Sequence, residues 1–331
     1  MAEVFYVRSG EHGEMCSIAI ACVEQAISAR LGNCGSLTTP ILRMRSAPGK
    51  RLRSLLLLGI ASVEPENAEL NQAAYRAAAA VELIHEGSLV HDDIVDRSLV
   101  RRHQASTAAE FGVRTANHVG IFLVARGVST LATLAAELNL QIDFTLLKRF
   151  AYAQLLECLP AETSLEAQTA RALEIMDGKT GALFMLAASL GSQLAGKGNG
   201  SALDSAAVET YAVNLGRGFQ IRDDVLDLTD RSKSGRPPGT DLRNGLCSWP
   251  VLRWALRQPS WPNTAARLQR CRGNDEECRQ LTRDVIADGA VEWATQEANS
   301  CINRARRESR RIASGPGNAM LSEVVDGLLL T

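Results

Sequence analysis

The chain has 331 residues, enough for a large buried core and, by length alone, for one to three domains. Its 36 basic and 37 acidic side chains leave a net charge of −1, so it lacks the basic surface that nucleic acid requires, and no nucleic-acid partner is expected. The eight cysteines are scattered without a C-x-x-C pair, and the five histidines lack zinc spacing, which points to thiols in a reducing, cytoplasmic setting.

The N-terminal segment holds one short apolar run, SIAIACV, between Glu14 and Glu24. It is too short to cross a bilayer and has no basic leader, so neither a signal peptide nor a transmembrane segment is expected. A basic stretch follows, Pro48-Gly49-Lys50-Arg51-Leu52-Arg53, ahead of the apolar LLLLGIA. Lys50 and Arg53 are spaced to stand one helical turn apart, an arrangement suited to holding a diphosphate without metal.

No proline occurs from 66 to 159 or from 161 to 236, and alanine and leucine are plentiful there. With β-branched runs and Asn-Gly turns scarce, the expected fold class is all-α. Residues 73–99 show the period directly, with Ile84, Ser88, Asp92, Val95 and Leu99 on one stripe. Loops are expected at 196–204, 230–250, 258–275 around Pro259 and Pro262, and 314–318. The 230–250 segment is too long and glycine-rich for a mere spacer. No composition shift marks a boundary, so residues 1–331 read as a single helical domain.

Two segments carry the chemistry: LVHDDIVDR at 89–97 and FQIRDDVLDLT at 219–229. On a helix, residues i and i+4 lie about 40° apart around the axis. Asp92 and Asp96 therefore share a face, as do Asp223 and Asp227. Carboxylates so placed suit hard cations such as Mg²⁺ (or Mn²⁺), which take oxygen ligands, keep part of their water and add substrate phosphate oxygens. A solvated acidic face is the simpler reading of one such cluster, but two clusters embedded in apolar helix sequence argue against it. Basic and polar residues gather around them: His85 lies seven positions before Asp92, Arg101 and Arg102 follow the first cluster, Lys179-Thr180 stands in DGKTGALF, and Gln220 precedes the second cluster.

GKRLR, ELIHEGSLVHDDIVD, the Arg pair, KTGAL, FQIRDDVLD and GTDLRNG, in that order, resemble the motifs of the trans-isoprenyl diphosphate synthases, the polyprenyl synthetase family. The resemblance spans about residues 40–255. It implies a single bundle of long helices around a deep central cavity (isoprenoid synthase-like), usually a homodimer, with the two aspartate clusters facing each other at its mouth. It further implies Mg²⁺ ligation by Asp92, Asp96 and Asp223, supported by Asp93, Asp224 and Asp227. Lys50, Arg53, His85 and Arg102 take the role of holding isopentenyl diphosphate. Arg101, Lys179, Thr180 and Gln220 take that of contacting an allylic diphosphate.

In short-chain relatives bulky aromatics stand where this chain has Gly87 and Ser88, with Ile84 the next stop for a growing tail. Small residues there imply a product of twenty carbons or more. Two other readings share the fold: a terpene cyclase, and a non-catalytic subunit of a heteromeric synthase. The chain departs from the family at several positions. Arg236 stands for the first loop lysine and Leu246 for the second. His103 replaces a glycine after the Arg pair, Ala105-Ser106 a Pro-Thr, and Gly120-Ile121 a Gly-Asp, while the C-terminus ends GLLLT.

Overall fold

A computed structural model describes residues 11–31, 49–62, 68–198, 203–229 and 239–329. Among these the chain is almost wholly helical. The helices are α1 (Glu11–Leu31), α2 (Leu52–Ala61), α3 (Ala68–Val95), α4 (Thr107–Phe111), α5 (Val113–Leu138), α6 (Phe144–Glu157) and α7 (Leu165–Ile175). A π-helical turn, Met176–Gly181, leads into α8 (Ala182–Gly198). Then come α9 (Ser205–Thr229), α10 (Thr240–Arg243), α11 (Trp249–Ala255), α12 (Trp261–Cys271), α13 (Asp275–Ala287), α14 (Ala290–Ile312) and α15 (Gly315–Leu329). The all-α expectation holds, with one addition: a short antiparallel pair, β1 (Val100–Arg101) and β2 (Gln104–Ala105).

Three details differ from the sequence reading. The stripe through residue 99 overruns its helix, which ends at Val95, and Leu99 is exposed. The segment 258–275 is not a loop throughout: Ser260 caps α12, and Pro262 sits in its first turn, where a missing N–H costs nothing. Likewise 314–318 contains the start of α15.

The chain falls into two compact units, one of residues 1–144, 183–212 and 304–331, the other of 145–182 and 213–303. Neither is a continuous stretch of chain, which is why no composition shift or linker marks it in the sequence. In the first unit the core is built on backbone contact. A Cβ on Gly87 of α3 would lie 2.7 Å from the Gly120 carbonyl of α5, and one on Gly127 would lie 2.6 Å from the Ala80 carbonyl and from Ile84. On the same two helices, Ala77–Ala80 of α3 and Leu123 and Leu131 of α5 are fully buried. The same device recurs between α2 and α15, where a Cβ on Gly317 would meet the Gly59 carbonyl at 2.5 Å. Tyr211 of α9, wholly buried, donates to the Leu321 carbonyl at 2.7 Å, so its hydroxyl is not left unsatisfied in the core.

Helix α5 has the length and apolar composition of a membrane span, which the sequence reading did not single out. One of its faces is committed to α3 through Gly120 and Gly127, while Val113 and Ile121 remain exposed.

The second unit centres on Leu228, Leu242, Val251, Trp254, Leu268, Leu281 and Val285. Arg253 of α11 lies over the rings of Trp249 and Trp293, 4.7 and 5.0 Å from their centroids, and pairs with Glu297. Asn274 caps α13 by accepting from the amides of Glu276 and Glu277.

Gly127→Leu should destabilise the fold by about 1–3 kcal/mol, because the new side chain cannot enter without separating α3 from α5. Denaturant midpoints of the two proteins measure this, and equal midpoints would show that the α3–α5 contact is not set by backbone approach.

Candidate active site

In the first unit, the residues that begin α2 and the last four turns of α3 carry most of the buried charge among the described residues: Arg51, Arg53, Glu82, Glu86 and Asp93. Arg51 is the N-cap of α2, with φ of 52°, and is buried. Its Nε donates to Glu24 at 2.7 Å, and one terminal nitrogen donates to Glu82 at 2.9 Å and to Glu86 at 2.8 Å. Burial alone would lower the pKa of Arg51, but Glu82, Glu86 and Glu24 outweigh it and raise it. Glu82 also accepts from the Ser54 hydroxyl at 2.9 Å. This is an internal charge cluster, unavailable to a ligand, and sequence reasoning missed it. Its signal was present: two glutamates four residues apart on a helix face otherwise of alanine and leucine.

Arg53, also buried, lies over the Phe184 ring at 4.8 Å, and its Nε has no hydrogen-bond acceptor. A buried donor without an acceptor costs about 1–3 kcal/mol, so this guanidinium is set for an anion. Burial, with Arg102 adding repulsion against the pull of Glu82 and Glu86, lowers the pKa of Arg53 to about 10. His85 is pushed well below the usual imidazole value by burial and then by Arg53, Arg102, Arg51 and Arg101. It is therefore a neutral hydrogen-bonding group at neutral pH and not a fourth cation. Lys50 is exposed beside them. The structure thus brings Arg53, His85 and Arg102 into one neighbourhood at the start of α2, where the helix dipole also favours an anion.

Arg101 and Arg102 come from the β1–β2 hairpin. Its turn residues, Arg102 and His103, both have positive φ, at 50° and 62°. Such a turn favours glycine or asparagine, so His103, standing where the resemblance implies a glycine, occupies a strained position. Arg101 donates to Asp93 through Nε at 3.0 Å and a terminal nitrogen at 2.6 Å. Arg102 donates to Glu86 at 3.1 Å. A Cβ on Gly49 would lie 2.6 Å from an Arg102 nitrogen, so a side chain there would displace the tip of Arg102.

Asp92, Asp93 and Asp96 stand at the C-terminal end of α3, whose last turn has no basic residue. That is the negative end of the helix dipole. Asp93 is buried against Arg101, and Asp92 and Asp96 are half-exposed. Gly87 lies against the α5 backbone, as described above. Ser88 is buried, donating its hydroxyl to the His85 carbonyl at 2.7 Å, and Ile84 is packed beside the Gly127 position.

The second unit repeats the electrostatic pattern. Asp223, Asp224 and Asp227 lie near the C-terminal end of α9, again without a basic residue in the last turn. Asp223 is exposed. Asp224 is buried and accepts from Gln220 at 2.7 Å and from the Trp249 amide at 2.8 Å. Burial lifts its pKa to about 7 against those two hydrogen bonds, helped by Asp223 and Asp227. The two oxygens of Asp227 accept from the amides of Thr240 and Asp241, each at 3.2 Å, which anchors the start of α10. The π-helical turn carries Lys179 and Thr180. Lys179 pairs with Glu157, and the Thr180 hydroxyl donates to Gln220. A π turn inside an α-helix is a frequent mark of a functional site. Gly178 permits it to approach α6, where a Cβ would lie 2.9 Å from the Arg149 carbonyl.

Asp241 was also missed; burial, then Asp227, Asp224, Glu157 and Asp223, push its carboxyl well above the usual range. Leu246 is half-buried, its amide bonded to the Asp241 carbonyl at 2.8 Å. Arg236 lies outside the described residues.

Among the described residues no three His, Cys, Asp or Glu side chains are arranged to hold a metal ion. The donor sets nonetheless fit Mg²⁺, which is bound through one or two carboxylates plus water and phosphate oxygens and not by an all-protein cage. Asp93, Asp224 and Asp227 are engaged by donors of their own unit. Asp92, Asp96 and Asp223, the more exposed members, are the residues that would hold it.

The polyprenyl synthetase family matches residues 35–288. The nonaprenyl diphosphate synthase of Mycobacterium tuberculosis is 30% identical over 318 residues, covering 93% of this chain and 90% of that protein. The geranylgeranyl pyrophosphate synthase of Geoglobus acetivorans is 30% identical over 288 residues, covering 86% of this chain and 87% of that one. Among solved structures, a polyprenyl synthase from Caulobacter crescentus complexed with calcium and isoprenyl diphosphate superposes with a TM-score of 0.79 at 27% identity, covering 97% of this chain and 98% of that one.

Inorganic diphosphate added without divalent metal should raise the melting temperature. At one hundred times its dissociation constant the stabilisation is about 2.7 kcal/mol. Arg53→Met keeps an apolar stem against Phe184 and should lose most of that increment; equal increments in both proteins would show that the Arg53 guanidinium does not meet the anion.

Proposed function

Because the chain belongs to the polyprenyl synthetase family and is a prenyltransferase, we propose that it is Mg²⁺-dependent, condensing isopentenyl diphosphate with an allylic diphosphate to an all-trans product of twenty carbons or more. The observation that carries this reading is the placing of three carboxylates at the C-terminal end of each of two long helices, with no basic residue in either last turn. Such ends repel anions, so acids there call for cations from outside the fold. The calcium and isoprenyl diphosphate of the Caulobacter relative lend support.

Asp92 and Asp96 of the first unit, and Asp223 of the second, would hold magnesium, which when bound would supply charge neutralisation for a departing diphosphate. The chain's own groups do the remainder. Lys50, Arg53 and Arg102, with neutral His85, hold isopentenyl diphosphate. Lys179, Thr180 and Gln220, with Arg101 and Arg236, orient the allylic partner. Its C–O bond breaks to give an allylic cation and diphosphate, the isopentenyl double bond attacks the cation, and a proton leaves to the released diphosphate. Apolar walls keep water from the cation. Lys50, Arg53, His85 and Arg102 are all present, which supports chain elongation over cyclisation.

A homodimer would cover the exposed Val113 and Ile121 of α5. Eight cysteines scattered without a C-x-x-C pair suit a reducing cytoplasm. For product length, the small Ser88 and the relatives' names, from geranylgeranyl to nonaprenyl, support twenty carbons or more. Gly87, by its contact with α5, supports it less.

Asp92→Ala and Asp223→Ala should each lower turnover by at least a hundredfold with the helical spectrum intact, and EDTA should do the same reversibly. Full activity in either variant or in chelator would end the metal-assisted reading. Ser88→Phe should shorten the product to fifteen carbons or fewer, as read by chromatography of the dephosphorylated alcohols. An unchanged product would place the tail's path elsewhere.

A further inference from the structure

Helix α3 presents two acids seven residues apart, and each takes one arginine of the hairpin: Asp93 takes Arg101, and Glu86 takes Arg102. Seven residues are close to two turns, so both acids point from nearly the same face. Asp93 is a member of the first aspartate cluster. Glu86 is not, and nothing above gives it a function.

Its surroundings are specific. Glu86 is buried, and one carboxylate oxygen accepts from Arg51 at 2.8 Å and from Arg102 at 3.1 Å. It therefore links an arginine that is wholly internal to one whose side chain is 26% exposed. Arg102 starts from a left-handed backbone, φ 50°, on a two-residue turn without glycine. A long side chain on such a turn samples many rotamers unless something holds it. Glu86 holds one terminal nitrogen, while the other lies against Gly49, next to Lys50.

We propose that Glu86 is a positioning residue of the isopentenyl diphosphate site: by clamping Arg102 to the buried Arg51, it fixes the guanidinium in the orientation that receives the diphosphate. The inference rests on the assignment of Lys50, Arg53 and Arg102 to that diphosphate. It competes with a purely electrostatic role of opposite sign. A carboxylate beside three guanidiniums weakens the field for an anion, so its removal would tighten binding if charge were all that mattered. Positioning predicts weaker binding, because a released Arg102 must lose its rotamer freedom each time the anion binds. Loss of Glu86 leaves no orphan cation in the core, since Arg51 keeps Glu24 and Glu82.

The test is steady-state kinetics of Glu86→Ala and Glu86→Asp with both substrates varied, with Lys50→Ala as reference. Glu86→Asp keeps the charge but draws it back by one methylene. Both Glu86 variants should raise the KM for isopentenyl diphosphate, Glu86→Ala by about tenfold, or 1.4 kcal/mol, with the allylic KM within about twofold of the parent. If Glu86→Ala fails to fold, Glu86→Asp carries the test alone. A fall in the isopentenyl KM, an unchanged one, or an equal rise in both KM values overturns the clamp. Lys50→Ala separates the two levels of the argument. Should it leave the isopentenyl KM unchanged, the site assignment has failed and the clamp with it. Should it raise that KM while the Glu86 variants do not, only the clamp has failed.

Discussion

Six carboxylates stand at the C-terminal ends of two helices, and much of the local structure answers to them. Each helix already ends in partial negative charge, and neither offsets it with a lysine or arginine in its last turn. Half of the acids are absorbed by the fold. Asp93 meets Arg101, Asp224 meets Gln220 and the Trp249 amide, and Asp227 meets two amides at the start of α10. These bonds explain why a hairpin follows the first cluster and why the 239–249 segment is tied to the second. They also show what part of each motif does within the fold: Asp93, Asp224 and Asp227 each tie down a neighbouring stretch of chain.

The cations divide in the same way. Arg51 and Arg53 are two residues apart and both buried, yet Arg51 is enclosed by three carboxylates while Arg53 has a donor without an acceptor. Burying a charge is tolerable when it is paired and costly when it is not. Arg51 is therefore part of the fold, whereas the Arg53 Nε–H meets no acceptor among the described residues. Burial and the repulsion of four arginines hold His85 well below the usual imidazole value, so it adds no further positive charge.

Much of this was legible in the sequence. The proline-free alanine and leucine stretches gave the helices, and charges at turn spacing gave Lys50, Arg53, His85 and the aspartates. What could not be read was tertiary. No pattern distinguishes Arg51 from Arg53 until one sees that the first turns toward Glu82 and the second toward Phe184. Pro262 read as a breaker because a proline that opens a helix and one that ends it look alike without the cap residue's geometry. Asp241 stayed hidden because its altered chemistry comes from burial among acids distant in sequence. Gly87 read as space for a hydrocarbon tail, whereas its missing side chain lets the backbones of α3 and α5 meet.

That last feature bears on how such a scaffold changes its output over time. A residue at the wall of a tunnel can grow by one methyl group after another, trimming the space a little at each step. At position 87 there is no such gradient, because even a first carbon would strike the neighbouring helix. Substitution there acts as a wedge, altering the spacing of two helices at once and with it every side chain along their seam. A lineage that loses glycine at this point would have to re-settle the whole α3–α5 pair.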